Sequence, residues 1–466
     1  MRAMQHSLLT RQFPRHVVSR VEPRCPLRAH IPNRALHCPA ARLTSPLQGF
    51  AGAPDTALKV GHIHAHSFSH APPRRSFACS ATSSVQDDTV EVPPRTLPQI
   101  IGGWLQYFTV LTFVGVPIWV YQGFLALLGV TIGRKIFFSS KDRSALKFQD
   151  PFDLEHGFVE VNGIRLHTVS AGRGSGKPLM LFLHGFPELW FSWRRQMEQF
   201  KQDFEVVAVD MRGYGESDKP EGKENYSIPI LASDAVGIVK ALGHEKCVLV
   251  AHDWGGMVAW HTAALYPEVV ERLIVMALPH PIAWKDNMDL DQARRSWYIL
   301  FFQAPRLPEF LALAADVAFI EGAFRSGAVA PINKDAVSDE DVERYKQGFA
   351  RPGAATATIN YYRAFWDSVT RSPQPEYRKS LERLRRGLLK MPVMLLYAAN
   401  DTALGPQLVR GTEKYVPDLE LHVLENCSHW VQQDQPELVE KLMRGFLERT
   451  DSTGTSSRQL SAARAA

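Results

Sequence analysis

Cysteine is scarce and odd in number. Of five in 466 residues, Cys25, Cys38 and Cys79 precede residue 80, leaving Cys247 and Cys427 in the body of the chain. That count excludes a disulfide framework, and the last two are expected to be buried or free thiols. Acidic residues are almost missing from residues 1–86, where Glu22 and Asp55 face ten arginines and one lysine. The surplus there exceeds the +5 of the whole chain, so the remainder is net acidic and no nucleic-acid patch is expected in it. Charge of either sign is absent from Thr96 to Gly133. No internal repeat is found.

The first segment, 1–85, is rich in Arg, Ser, Pro and His and has no sustained periodicity. This is the composition of an organelle transit peptide. The small-residue run Phe77-Ala78-Cys79-Ser80-Ala81 has the character of a plastid processing site and favours chloroplast over mitochondrion. The alternative is a disordered tail that is never removed. His62, His64 and His66 alternate, but nothing there fixes ligands, and no metal is expected. Ile100 to Leu128 is strongly apolar and carries Trp104, Tyr107, Trp119 and Tyr121. About 20 helical residues cross a bilayer core. Residues 97–133 are therefore expected to anchor the protein in an organelle membrane, as one span or one bent at Pro117. The basic group Arg134, Lys135, Lys141, Arg143 and Lys147 would keep the following domain on the stromal, matrix or cytosolic side. The alternative is an apolar hairpin lying on the domain or in one leaflet.

The folded domain begins near residue 148. Phe158–Val161, Asn162-Gly163 and Ile164–His167 form a hairpin signal. Leu179–Leu183 is a continuous apolar run and Phe204–Val209 another buried strand, each followed by a Gly-containing turn. Ile230–Leu242 has helical character. Val248–Val250 then fits a buried strand, and Met257–Leu265 a helix ending near Pro267. Strand and helix alternate, so the sheet should be largely parallel, with function at the carboxyl ends of its strands.

Between strand and helix lies His252-Asp253-Trp254-Gly255-Gly256. Ala251, Gly255 and Gly256 give a tight turn the small neighbours it needs. This is the layout of the nucleophile elbow of the α/β-hydrolase fold, with a carboxylate in place of serine. The swap changes the chemistry. A carboxylate attacking an ester would form an anhydride, which is uphill; attack on a strained or activated sp3 carbon gives an ordinary ester that water can cleave. Epoxides and alkyl halides are such substrates. The alternative for Asp253 is a helix N-cap.

His184-Gly185-Phe186-Pro187-Glu188, Arg212-Gly213-Tyr214-Gly215-Glu216-Ser217-Asp218 and the elbow together resemble the epoxide hydrolase family of α/β-hydrolases, over about Phe152 to Leu447. With the preceding apolar stretch, the chain is most similar to the membrane-anchored members of types 3 and 4. The resemblance implies an α/β fold with a mostly parallel eight-stranded sheet and an inserted helical cap. The core would span 148–281 and 391–450, the cap 282–390, and a disordered tail 451–466. It also implies an oxyanion hole from the backbone N–H groups of Phe186 and Trp254. Substrate contacts would come from Trp190, His184 and Pro187.

Two cap tyrosines match the family's lid pair, Tyr298 and Tyr362. Phenols aimed from the cap can hydrogen-bond the opening epoxide oxygen and protonate it. Either could instead be a packed aromatic. Tyr361 is adjacent to Tyr362, but neighbours on a helix point roughly 100° apart, so only one faces the pocket. Asp401 ends the strand Val393–Tyr397, and His429 follows the strand Leu419–Leu424. The order nucleophile, acid, histidine is the α/β-hydrolase order. A turn role for Asp401 and a structural loop role for His429 are the alternatives.

The expected activity is hydrolysis of a lipophilic epoxide, such as a fatty-acid epoxide, to a diol through an Asp253 ester, with no metal or cofactor. Trp190 keeps a hydrolytic dehalogenase in view, because an indole N–H can hold halide. A non-catalytic receptor on a hydrolase pocket is the third reading.

Overall fold

The structure is a computed structural model. It describes residues 138–371 and 373–465, and positions 18, 19, 120, 123, 124 and 127. The expected transit peptide lies outside the described residues apart from 18 and 19, and the expected membrane segment apart from four helical positions. Among the described residues no helix is long and apolar enough to cross a membrane.

The sheet is built on nine strands: β1 (Val18–Ser19), β2 (Glu155–Val161), β3 (Ile164–Ala171), β4 (Leu179–Leu183), β5 (Glu205–Val209), β6 (Cys247–His252), β7 (Val270–Met276), β8 (Val393–Ala398) and β9 (Leu419–Leu424). Their order is β1-β9-β8-β7-β6-β4-β5-β3-β2. Pairing is parallel from β5 to β1, and β3 is antiparallel to both its neighbours. The eight expected strands are all present. The two-residue β1 adds a ninth at the β9 edge, where unpaired backbone groups accept any extended segment.

Local chemistry accounts for the elements. At the β2–β3 hairpin Asn162 and Gly163 both have positive φ, 51° and 77°, the turn that matches strand twist. β4, β5, β6 and β8 are buried along their whole length, because helices cover both faces of a parallel sheet. Flanking them are α1 (Arg194–Phe200), α2 (Ile228–Ala241) and α3 (Trp254–Leu265). α3 is apolar nearly all round and buried, the central helix of the core. From β4 the chain goes to β5 on one side and then returns to β6 on the other. That reversal opens a crevice at the carboxyl ends of β4 and β6.

Between β7 and β8 runs a helical insertion: α4 (Pro281–Asp286), α5 (Leu290–Arg295), α6 (Trp297–Phe301), α7 (Leu307–Glu321), α8 (Asp339–Phe349) and α9 (Ala354–Thr370). α8 starts with a capping box between Ser338 and Asp341. The next helix, α10 (Pro375–Arg385), departs from the expected cap boundary at 390. It lies on the core helix α3, with the Tyr377 ring stacked on His261 at 5.1 Å and Ser380 Oγ 2.6 Å from His261 Nδ1. It is the crossover helix into β8. Sequence patterning cannot separate the two roles, because both are amphipathic helices without strand signals.

After β9 come α11 (Val431–Asp434) and α12 (Pro436–Ala465). The chain does not leave helix at Thr450, where the sequence reading places a disordered tail. Once a packed nucleus exists, each added residue fixes one hydrogen bond, so weak helix formers can be carried along.

Candidate active site

Asp253 stands between β6 and α3 at φ 47°, ψ −117°, a region that non-glycine residues rarely occupy. It occupies the N-cap position of α3, but its side chain makes no capping bond and is free for other partners. The crowding around it explains the glycines. A Cβ on Gly185 would come within 2.6 Å of Asp253 Cβ, and one on Gly255 within 2.2 Å of the Leu183 carbonyl oxygen. The carboxylate points into the crevice between two sets of partners. Oδ1 accepts a hydrogen bond from the Phe186 N–H at 2.9 Å. Oδ2 lies 3.6 Å from His429 Nε2.

His429 and Asp401 come from the ends of β9 and β8. His429 Nδ1 is 2.7 Å from Asp401 Oδ2. The other Asp401 oxygen accepts from the Ala403 and Leu404 N–H groups at 2.8 and 2.9 Å. The turn role and the triad position therefore coexist, one oxygen each. Asp401 and His429 are both buried. Burial opposes a charge on His429, but Asp401 and Asp253 outweigh it and hold its pKa well above the usual range. Burial likewise works against the Asp253 anion, yet His429, His252 and the Phe186 N–H keep its pKa below the usual carboxylate value.

Trp254 opens α3, so its N–H has no intrahelical carbonyl to bond. Together with the Phe186 N–H it offers two donors beside the Asp253 carboxyl. The Phe186–Pro187 peptide is cis. From the cap, Tyr362 sets its ring edge-on to Trp254 at 4.9 Å, and Tyr298 lies edge-on to Tyr362 at 5.8 Å. Burial, then the nearby Asp253, drive both phenol pKa values far up. Tyr361 points elsewhere: its hydroxyl donates to the Arg212 carbonyl at 2.7 Å.

The three expected substrate contacts are all buried. His184 is fully buried and spends both ring nitrogens on backbone, Nδ1 with the Gly185 carbonyl at 2.8 Å and Nε2 with the Met211 N–H at 3.0 Å. Trp190 packs edge-on to His156 at 5.4 Å and to Phe191 at 5.6 Å, and its backbone N–H donates to Asp210 at 3.0 Å. Its ring contacts are thus with His156 of β2 and with Phe191. Pro187 is buried in the turn it shapes.

Sequence reasoning did not assign two further groups. One is an aromatic wall: Phe302, Phe319 and Tyr362 surround the Phe186 ring at 5.7, 5.6 and 5.2 Å. Phe302 lies one helical turn beyond Tyr298, a spacing that signals a shared face; Phe319 carries no such signal. The other is the buried acid Glu188. Its Oε2 accepts from the Gly185 N–H at 2.9 Å and meets His252 Nδ1 at 2.7 Å. Its Oε1 accepts from the side-chain amides of Gln432 and Gln433, each at 2.9 Å. His252 Nε2 in turn lies 2.9 Å from the His429 carbonyl oxygen. One carboxylate thus ties together the turn after β4, the elbow and the histidine loop. Among the described residues no group of three or more metal-ligating side chains converges.

The family pattern for the alpha/beta hydrolase fold matches residues 178–436. Human epoxide hydrolase 4 is 40% identical over 304 residues, which are 64% of this chain and 80% of the human protein. The chain belongs to the epoxide hydrolase family. Epoxide hydrolase 1 of Caenorhabditis elegans is 35% identical over 326 residues, 69% of this chain and 77% of that protein. Among solved structures, a mutant epoxide hydrolase from Bacillus megaterium superposes with a TM-score of 0.56 at 33% identity, covering 63% of this chain and all of that one. An epoxide hydrolase from Vigna radiata gives 0.53 at 28% identity, over 64% and 98% of the two chains. This member of the epoxide hydrolase family is accordingly a hydrolase with a capped α/β core.

Proposed function

We propose that the protein converts lipophilic epoxides to vicinal diols through an ester on Asp253. One arrangement carries the reading: a carboxylate at the elbow, faced on one side by His429 and on the other by two cap phenols. Asp253 Oδ2 attacks an epoxide carbon and the C–O bond opens. Tyr298 and Tyr362 stabilise the leaving oxygen, and one of them gives it a proton. The high phenol pKa keeps that proton in place until an alkoxide, a stronger base, takes it. Solvent passes a proton from the His429 imidazolium back to the phenolate.

Ester formation also changes His429. The Asp253 charge disappears, so one of the two carboxylates that held its proton is gone, and the imidazole becomes a base for water. Hydroxide adds to the Asp253 carbonyl, the Phe186 and Trp254 N–H groups hold the oxyanion, and collapse releases the diol and restores the carboxylate. The aromatic wall favours apolar substrates, fatty-acid epoxides among them. Residues 97–133 serve as a membrane anchor, and residues 1–85 as a transit peptide directing the protein to an organelle, the chloroplast before the mitochondrion.

Single-turnover hydrolysis in heavy-oxygen water tests the chemistry. The first diol should carry unlabelled oxygen taken from Asp253, and the label should appear in the protein. A fully labelled first product would remove the ester from the scheme.

A further inference from the structure

The cap helix α7 has two ends with different jobs. Its outer part presents Phe310 and Leu313, one helical turn apart, at 40% and 39% exposure. Its inner part buries Val317 and Ile320 and sets Phe319 against Phe186, beside the nucleophile. Between them Ala315, Asp316 and Val317 take left-handed backbone angles, φ 50°, 59° and 60°, and break the helix. The segment that leads out of the apolar stretch clamps this break. Arg143 donates to both Asp316 oxygens at 2.7 and 2.6 Å, the Lys141 N–H donates to Asp316 at 2.8 Å, and the Asp316 N–H bonds the Ser139 carbonyl at 2.9 Å. Phe138, 53% exposed, lays its ring 6.0 Å from Phe310.

A single exposed apolar side chain needs no explanation. Here three cluster where the chain leaves a 38-residue stretch without charge, Thr96 to Gly133. Val120, Phe124 and Leu127 are helical, exposed and spaced for one helix face. Arg134 and Lys135 stand between the two apolar sets, suited to the headgroup layer.

We propose that the outer face of α7, at Phe310 and Leu313, rests in a lipid bilayer. The proposal rests on the reading of residues 97–133 as the membrane anchor. The Arg143 clamp holds the docked face and the pocket wall in one rigid relation, so a lipophilic substrate dissolved in the bilayer meets the cap directly.

The test uses the full chain with Cys25, Cys38 and Cys79 changed to Ser; Cys247 and Cys427 are buried and do not compete for label. A polarity-sensitive fluorophore is placed at Phe310→Cys, at Leu313→Cys, or at Glu245→Cys, an exposed control just before β6 at the end opposite Asp253. The proteins are reconstituted in phosphatidylcholine–phosphatidylglycerol vesicles, and turnover of a water-soluble epoxide checks the fold and the activity separately. Blue-shifted emission at 310 and 313, quenched by spin-labelled lipid, with neither effect at 245, is the expected result. Vesicle binding without quenching at 310 and 313 overturns the docked face alone. Failure to bind vesicles overturns the anchor and the docked face together. An emission shift that follows protein concentration and ignores lipid assigns the face to a second copy and also overturns the proposal.

Discussion

Asp253 is held in backbone strain that costs roughly 1–3 kcal/mol, and the missing side chains at Gly185 and Gly255 leave the room this tight turn needs. Replacing Asp253 with Ala should abolish turnover while leaving thermal stability unchanged or raised, checked by calorimetry alongside diol formation. His429→Gln should leave ester formation working and stop its hydrolysis, so a protein adduct of substrate mass should accumulate on mixing; neither adduct nor turnover in that variant would count against the scheme. Tyr298→Phe or Tyr362→Phe should each slow ester formation by roughly 10²-fold or more without moving ester hydrolysis, as read by rapid quench. The pH dependence has a definite sign. Asp253 stays ionised to below the ordinary carboxylate range, because its pKa is lowered. Ester formation should therefore be flat from neutral pH down to about 4. His429 is protonated in the resting enzyme and loses a carboxylate partner in the ester. Ester hydrolysis should then fail as pH falls and His429 stays protonated, and the adduct should build up on the acid side.

Among the elements, the loops after β4, β6 and β9 hold their geometry through Glu188. The acid is fully buried, and its pKa is lowered: burial opposes the charge, and His252 with the Gly185 N–H overcomes it. Glu188→Gln sets an amide N–H against donors and should cost about 3 kcal/mol or more, with a matching drop in Tm. A second fixed point is the left-handed break in α7, held by Arg143. Asp316 is brought down to about 2, first by its hydrogen bonds from Arg143. A carboxylate with a lowered folded pKa adds stability above its unfolded value near 3.8 and loses it as pH falls toward 2. Arg143→Met should therefore lower stability by about 1–3 kcal/mol at neutral pH and make little difference near pH 2, measured by urea unfolding at both.

At the scale of the molecule, the core and cap are organised about one crevice, and the strand reversal at β4 and β6 decides where it lies. The cap is shorter than sequence patterning suggests, because α10 belongs to the core face beside α3. A chain starting at residue 138 keeps the Arg143 clamp and every catalytic-loop contact described above. It should fold and hydrolyse a water-soluble epoxide at the full-length rate, yet lose rate on an epoxide confined to vesicles. Equal rates of the two chains on vesicle-borne substrate would separate the N-terminal segments from substrate delivery.

Much of this was legible in the residues themselves. The hairpin turn needs Asn162-Gly163, the elbow needs small neighbours, and a carboxylate there favours attack on sp3 carbon; these depend on local sterics and bonding. So do the strand runs, whose apolar side chains reveal burial wherever they lie. The tertiary structure decided the rest, because it turned on which surfaces face each other. It chose Tyr362 over Tyr361 by giving the latter the Arg212 carbonyl, tied both His184 ring nitrogens to backbone groups, and made Glu188 the common acceptor of three distant loops. Partners separated by tens or hundreds of residues leave no periodic trace, and only the folded chain brings them within hydrogen-bond distance.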